Sequence, residues 1–94
     1  MENTSSNAFI DVVSGNTNYS GLRFGDSDDS ITGGIYYYHA DNSLSLFGNN
    51  NTERLRISST GMIGINNASP VEDLHIKGTN PRICLLYTSD AADE

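Results

Sequence analysis

Apolar positions in this chain alternate with polar ones in short runs, and no run keeps the 3.6-residue period of a helix. The clearest runs flank a break at "SSTG", residues 58–61. In "ERLRIS" before it, Leu55 and Ile57 fall on one side and Arg54 and Arg56 on the other; "MIGI" follows it. The pattern predicts a hairpin with a loop of about four residues, in which Gly61 is free to take positive φ. Upstream, "SLSLFG" (43–48) alternates Leu44 and Leu46 with Ser43 and Ser45, and "YSGLRFG" (19–25) sets Leu22 and Phe24 opposite Arg23. "GIYYYH" (34–39) reads as an aromatic strand in which Tyr36 and Tyr38 share a face and Tyr37 takes the other. "AFIDVV" (8–13) and "LHIKG" (74–78) are further strand candidates. "SPVED" (69–73) predicts a single helical turn, with Ser69 as N-cap, Pro70 at the first position and Glu72 three after the cap. Breaks every ~8–12 residues between these runs predict an all-β fold of short antiparallel strands and hairpins.

Composition changes that picture in one respect. Asn, Ser and Thr supply 11, 12 and 7 of the 94 residues. Apolar residues with glycine come to about 40%, below the roughly 45–50% of an ordinary globular domain. A domain this small buries a modest fraction of its surface in any case, and its core rarely contributes more than ~3–5 kcal/mol. The expectation is a unit that is weakly stable alone or borrows a core from neighbouring copies. No staple compensates: Cys84 is the single cysteine, and no Cys/His cluster has zinc-site spacing.

One internal echo bears on that expectation. Residues 6–13, "SNAFIDVV", align with residues 79–86, "TNPRICLL", at an offset of 73, matching Asn7 to Asn80, Ile10 to Ile83, Val12 to Leu85 and Val13 to Leu86. Two strands with a polar lead-in can match by chance. Alternatively a second unit begins near Gly78, which predicts a β-rich unit over 1–77 and the start of another over 78–83. Repeat arrays share their core across copies.

Charge narrows the function classes. The formal net charge is −7, with Arg23, Arg54, Arg56, Lys77 and Arg82 as the only cations. That argues against nucleic acid and anionic membrane as partners, since both require basic residues to neutralise phosphate. No segment approaches the ~18–20 apolar residues of a membrane span, and "MENTSSNAF" lacks the basic and apolar regions of a signal peptide.

The stretch "NTERLRISSTGMIGINNASPVEDLHIKG" resembles a segment that recurs in phage tail fibres and tailspike-like proteins. There, Arg-Ile leads through a Ser/Gly turn to Gly-Ile, then through a Pro-containing turn to "LHI" and a glycine. The preceding "LRFGDSDD…GGIYYYHADNSLSLFGNN" is similar to the stretch upstream in that family, so the likeness covers about residues 6–83. Where the family often has Gly-Ile-Gly, this chain has "GINN", and Asn66 fits the same positive-φ position. The resemblance implies a homotrimeric, β-structured shaft module of a virion tail fibre. Other fibre segments, or a C-terminal self-cleaving chaperone domain, would be its neighbours. The cleavage chemistry of that domain needs a serine and a lysine; Lys77, the only lysine, receives no such role. "CLLYTSDAADE" (84–94) resembles the translated sequencing-adapter remnant seen at the ends of environmental reading frames. Without Asp90, Asp93 and Glu94 the charge is −4. The alternative for this tail is a genuine second repeat with an acidic end.

Beside the structural expectation stand several candidate chemistries. Asp26, Asp28 and Asp29 offer oxygens for calcium, but the EF-hand pattern from Asp26 places Ile31 and Tyr37 where glycine and glutamate belong, so a solvated turn is expected. Asp41, Glu53 and the "DSDD" acids are read as loop carboxylates with no apolar neighbour to tune them for glycoside hydrolysis, and no enzymatic role is expected. Tyr36, Tyr37 and Tyr38 could stack on sugars; core and contact packing is the expected use, and a receptor- or glycan-binding domain recognising a host-surface glycan is the alternative function. His39 and His75 have no third metal ligand at useful spacing, and no metal or cofactor is expected. The sequons at Asn3, Asn18, Asn50 and Asn67 follow from composition, and Gly61 and Gly64 open no helix and so form no nucleotide loop. The expected mechanism is mechanical: Leu44, Leu46, Leu55, Ile57, Ile63 and Ile65 line an interior shared among chains, and Arg54 and Arg56 face outward or pair with acids between subunits.

Overall fold

The computed structural model describes residues 5–87. Its strands are β1 (Tyr19–Phe24), β2 (Gly33–Tyr38), β3 (Ser43–Gly48), β4 (Thr52–Ile57), β5 (Ile63–Ile65) and β6 (Leu74–Ile76). They form one six-stranded sheet in the order β1-β2-β3-β4-β5-β6. The first four pairings are antiparallel, as alternation and short loops predict, and β5 pairs with β6 in parallel. The all-β expectation therefore holds, with that one departure from antiparallel pairing.

Each connection has a local cause. Between β1 and β2, one Asp26 carboxylate oxygen accepts the backbone N–H groups of Asp28 and Asp29, both at 2.9 Å, and Thr32 donates its N–H to the Phe24 carbonyl at 2.7 Å to close the hairpin. Asparagines take the left-handed corners that other side chains avoid: Asn42 (φ 55°) after β2, then Asn50 and Asn51 (φ 59° and 50°) in the turn between β3 and β4. After β4 the "SSTG" reversal forms as expected. The Ser58 N–H bonds the Met62 carbonyl at 2.9 Å, the Ser58 hydroxyl accepts from the Met62 N–H at 3.1 Å, and Gly61 has φ 87°. Asn66 follows β5 with φ 56°, the conformation expected of it.

Two local expectations fail. Residues 8–13 form no strand: the segment is exposed and does not pair with the sheet, although β1 beside it is an edge strand. The turn expected at Ser69–Asp73 is not helical. Its N–H groups go to side chains instead, Ser69 to the Asn67 Oδ1 at 3.0 Å and Val71 to the His75 Nδ1 at 3.1 Å. The segment carries the chain back to the start of β6. Strands of three residues rise only ~10 Å, so a short link can make the parallel return.

No sealed apolar centre exists among the described residues. Tyr36, 8% exposed, is the one buried aromatic or aliphatic side chain of the sheet, and the other buried side chains are Ser43, Ser45 and Pro70. The Cα radius of gyration is 17.9 Å, against about 12 Å for a compact domain of this size.

Candidate functional site

Register decides what the two faces of the sheet carry. One cross-strand row runs Leu22–Ile35–Leu46–Leu55–Ile65–Ile76, with every neighbour in direct register. The next row on the same face runs Ser20–Tyr37–Leu44–Ile57–Ile63–Leu74. With Phe24, each strand places two large apolar side chains on this face. Successive residues of a strand alternate faces, so the intervening row, Gly21–Tyr36–Ser45–Arg56–Gly64–His75, lies opposite.

The apolar face is the uncovered one. Leu22 and Phe24 are each 55% exposed, Leu74 49%, and Ile35, Tyr37 and Leu46 about 40%. Isolated exposed apolar residues are ordinary; a contiguous face of them marks an interaction surface. All six residues expected to line a shared interior, Leu44, Leu46, Leu55, Ile57, Ile63 and Ile65, fall here. Leu22, Phe24, Ile35, Tyr37, Leu74 and Ile76 join them, and only the register could bring those from separate runs into the same rows.

The opposite face is filled from within the chain. Tyr36 lies edge-on to Phe47, with ring centroids 4.9 Å apart, and Tyr38 stacks on Tyr19 at 4.2 Å. The Tyr36 hydroxyl donates to Asn51 Oδ1 at 3.0 Å. Gly34 makes room for this ring: a Cβ there would sit 2.9 Å from Tyr36 Cζ and Oη. Beyond the aromatics runs a polar network. Pairing shifts by one residue after Leu46, so Phe47 faces Glu53, and Glu53 reaches the face of Ser45 and Arg56. Glu53 Oε1 accepts from Arg56 Nε at 2.8 Å and from the Ser45 hydroxyl at 2.7 Å. Arg56 Nη1 also donates to Asp41 Oδ2 at 3.3 Å, and Asp41 Oδ1 accepts from the Ser43 hydroxyl at 2.6 Å.

These placements revise several expectations. Glu53 is not a loop acid; it lies in β4, half-buried against arginine. Arg56 finds its acids in its own chain rather than between subunits. Asp41 and Glu53 share one guanidinium, an arrangement for holding charge in place. The tyrosines divide as expected, Tyr36 and Tyr38 on one face and Tyr37 on the other, where its hydroxyl lies 3.4 Å from Asn42 Oδ1. In the Asp26–Asp29 loop, Asp26 and Asp29 spend carboxylate oxygens on backbone N–H groups. His39 shares a hydrogen bond with the Ser20 hydroxyl at 2.9 Å, and His75 accepts from Val71. Among the described residues no three His, Cys, Asp or Glu side chains converge as metal ligands. Gly64 admits the close approach of the Asn67 backbone carbonyl, which a Cβ there would block. Cys84 is exposed. The Asn3 sequon and residues 88–94 of the suspected adapter-like tail lie outside the described residues.

Neither the protein-family models nor the curated proteins contain a match to this chain.

Proposed function

We propose that this chain is a structural module of a viral tail-fibre or tailspike shaft, built as a homotrimer in which the apolar sheet faces of three chains meet along a common axis. Its role is mechanical support of host attachment in the virion, without chemistry of its own. Other fibre segments, or a chaperone domain following it, are its neighbours along the shaft. The observation that carries the assembly is the partly uncovered apolar face: one apolar row spans all six strands, a second spans β2 to β6, and Leu22, Phe24, Ile35, Tyr37, Leu46 and Leu74 on it are exposed. Water-exposed apolar surface of that extent is unfavourable by about 25 cal/mol per Å², and association of copies removes it. The viral setting rests on the "RI-(Ser/Gly turn)-GI…P…LHI" resemblance.

Sedimentation equilibrium tests this reading. The chain is expected at three times its monomer mass, and Leu46→Asp, which sets a charge in the middle of the face, is expected to give monomer. A wild-type chain that stays monomeric and unfolds cooperatively overturns it.

Recognition of a host-surface glycan is the second reading. One observation favours it: Tyr19, 57% exposed and stacked on Tyr38, stands beside Arg23 on the face turned away from the proposed axis. Glycan-array binding by the assembled protein, lost on Tyr19→Ala, supports this reading; no binding ends it.

A further inference from the structure

Resting on the trimer reading, we infer how the copies are oriented: the β1 edge of one chain seats against the β6 edge of the next, head to tail around the ring. The arm that precedes β1 completes the joint.

Residues 8–13 lie outside the sheet yet are among the most apolar exposed surface of the molecule. Phe9 is 73% exposed, Ile10 74%, Val12 49% and Val13 87%. The arm is tethered where it meets the sheet: the Ser14 hydroxyl lies 2.8 Å from that of Ser20, which bonds His39 in turn. From there Ile10 and Val12 wall a groove of about 240 Å³ whose floor includes Leu22, Ile35, Tyr37 and Leu44 of the apolar face. The groove lies at the β1 end of that face.

The arm enlarges the apolar area available for assembly. The six most exposed side chains of the apolar face leave on the order of 500 Å² uncovered, taking about 200 Å² for a large side chain. A stable interface takes about 800 Å² from each partner. The four apolar residues of the arm add about as much as the face does, which doubles the apolar area each chain brings to its two interfaces in the ring.

Topology and charge select the partner edge. Rings of identical chains close through two different patches, one on each side of the subunit. Here the sheet order puts β1 and β6 at opposite edges. Leu74 of β6, half exposed, is the apolar knob at the far end of the face. One set of charges is complementary across the two edges. Arg23 on β1 has no ion pair or hydrogen bond to a side chain among the described residues, and neither do Glu72 and Asp73 beside β6. Bringing the edges together places an unpaired cation opposite unpaired acids, which favours this docking over β1 on β1 or β6 on β6. The occupant of the groove is therefore Leu74 of a second copy of this chain.

Cysteine crosslinking of the full chain tests the inference. In a Cys84→Ser background, Ile10→Cys and Leu74→Cys are introduced singly and together; both positions are exposed, so neither change disturbs the sheet. Sedimentation equilibrium is run alongside. Expected is a trimer in which the double variant, on oxidation, becomes a covalent trimer on denaturing gels while each single variant stays largely uncrosslinked. Arg23→Glu is expected to weaken association at least tenfold, and adding Asp73→Arg to restore it. An assembled trimer with no double-variant crosslink and no charge-swap rescue overturns the edge assignment and leaves the trimer standing. A monomeric wild type overturns both.

Discussion

Tyr36 donates its hydroxyl to Asn51 Oδ1 at 3.0 Å, joining the middle of β2 to the turn between β3 and β4. The bond fixes a ring that is 8% exposed and lies over Gly34, and it engages an asparagine held at φ 50°. Tyr36→Phe keeps the ring and loses the bond, so it should cost about 1 kcal/mol. Tyr36→Ala also removes the packing against Phe47 and Tyr19, and should cost about 3–5 kcal/mol. Urea unfolding at fixed protein concentration separates the two, since association raises apparent stability by mass action.

Two glycines should respond to substitution for different reasons. At Gly34 a methyl group would press on the Leu22 backbone carbonyl and on the Tyr36 ring, and Gly34→Ala should destabilise by about 1–3 kcal/mol through overpacking. At Gly61 nothing lies within 4 Å of the added atom, and the cost is the positive φ alone. Gly61→Ala should lose about 1 kcal/mol, and Gly61→Asn less, because asparagine tolerates that conformation better. Equal losses for Gly61→Ala and Gly61→Asn in thermal unfolding would show that φ is not the cause.

The Glu53–Arg56 pair should show measurable coupling. Its side chains are 16% and 23% exposed, so it is more shielded than a surface pair, and the Ser45 hydroxyl completes the carboxylate's bonding. Glu53→Gln and Arg56→Met, made singly and together, should give a coupling of about 1 kcal/mol in a double-mutant cycle. Raising the salt concentration should reduce it only modestly, since partial burial limits screening. A coupling of zero would reassign the pair to surface decoration.

Residues after Ile83 should be dispensable for folding and assembly. Leu85, Leu86 and Tyr87 are 85%, 82% and 74% exposed and lie outside the sheet. A chain ending at Ile83 should sediment and unfold as the full chain does. A lower unfolding midpoint on truncation would show that this segment contributes to the structure.

Much of the fold is legible in the residues. Of the strands, β1, β3 and β4 follow from alternation, β2 from its run of aromatics, and β5 and β6 from short apolar runs, and the hairpin at "SSTG" follows from Gly61 and Ser58 because its bonds are local. The segment 8–13 misleads because Phe9, Ile10, Val12 and Val13 suit a strand, but residue type does not decide whether a segment pairs with an available edge, here that of β1. The same holds for Ser69–Asp73, where capping residues occur in helical order but Asn67 and His75 take the N–H groups first.

The sequence by itself determined the class of structure, the places where the chain turns and the shortage of apolar residues for a private core. These depend on neighbouring residues and on totals. Only the tertiary structure decided the rest. It set Leu22, Ile35, Leu46, Leu55, Ile65 and Ile76 in one row, gave Arg56 its two acids within the chain, and left the apolar face open while Tyr36 closed the other. Those outcomes depend on register, and a shift of one residue would have sent every side chain of a strand to the opposite face.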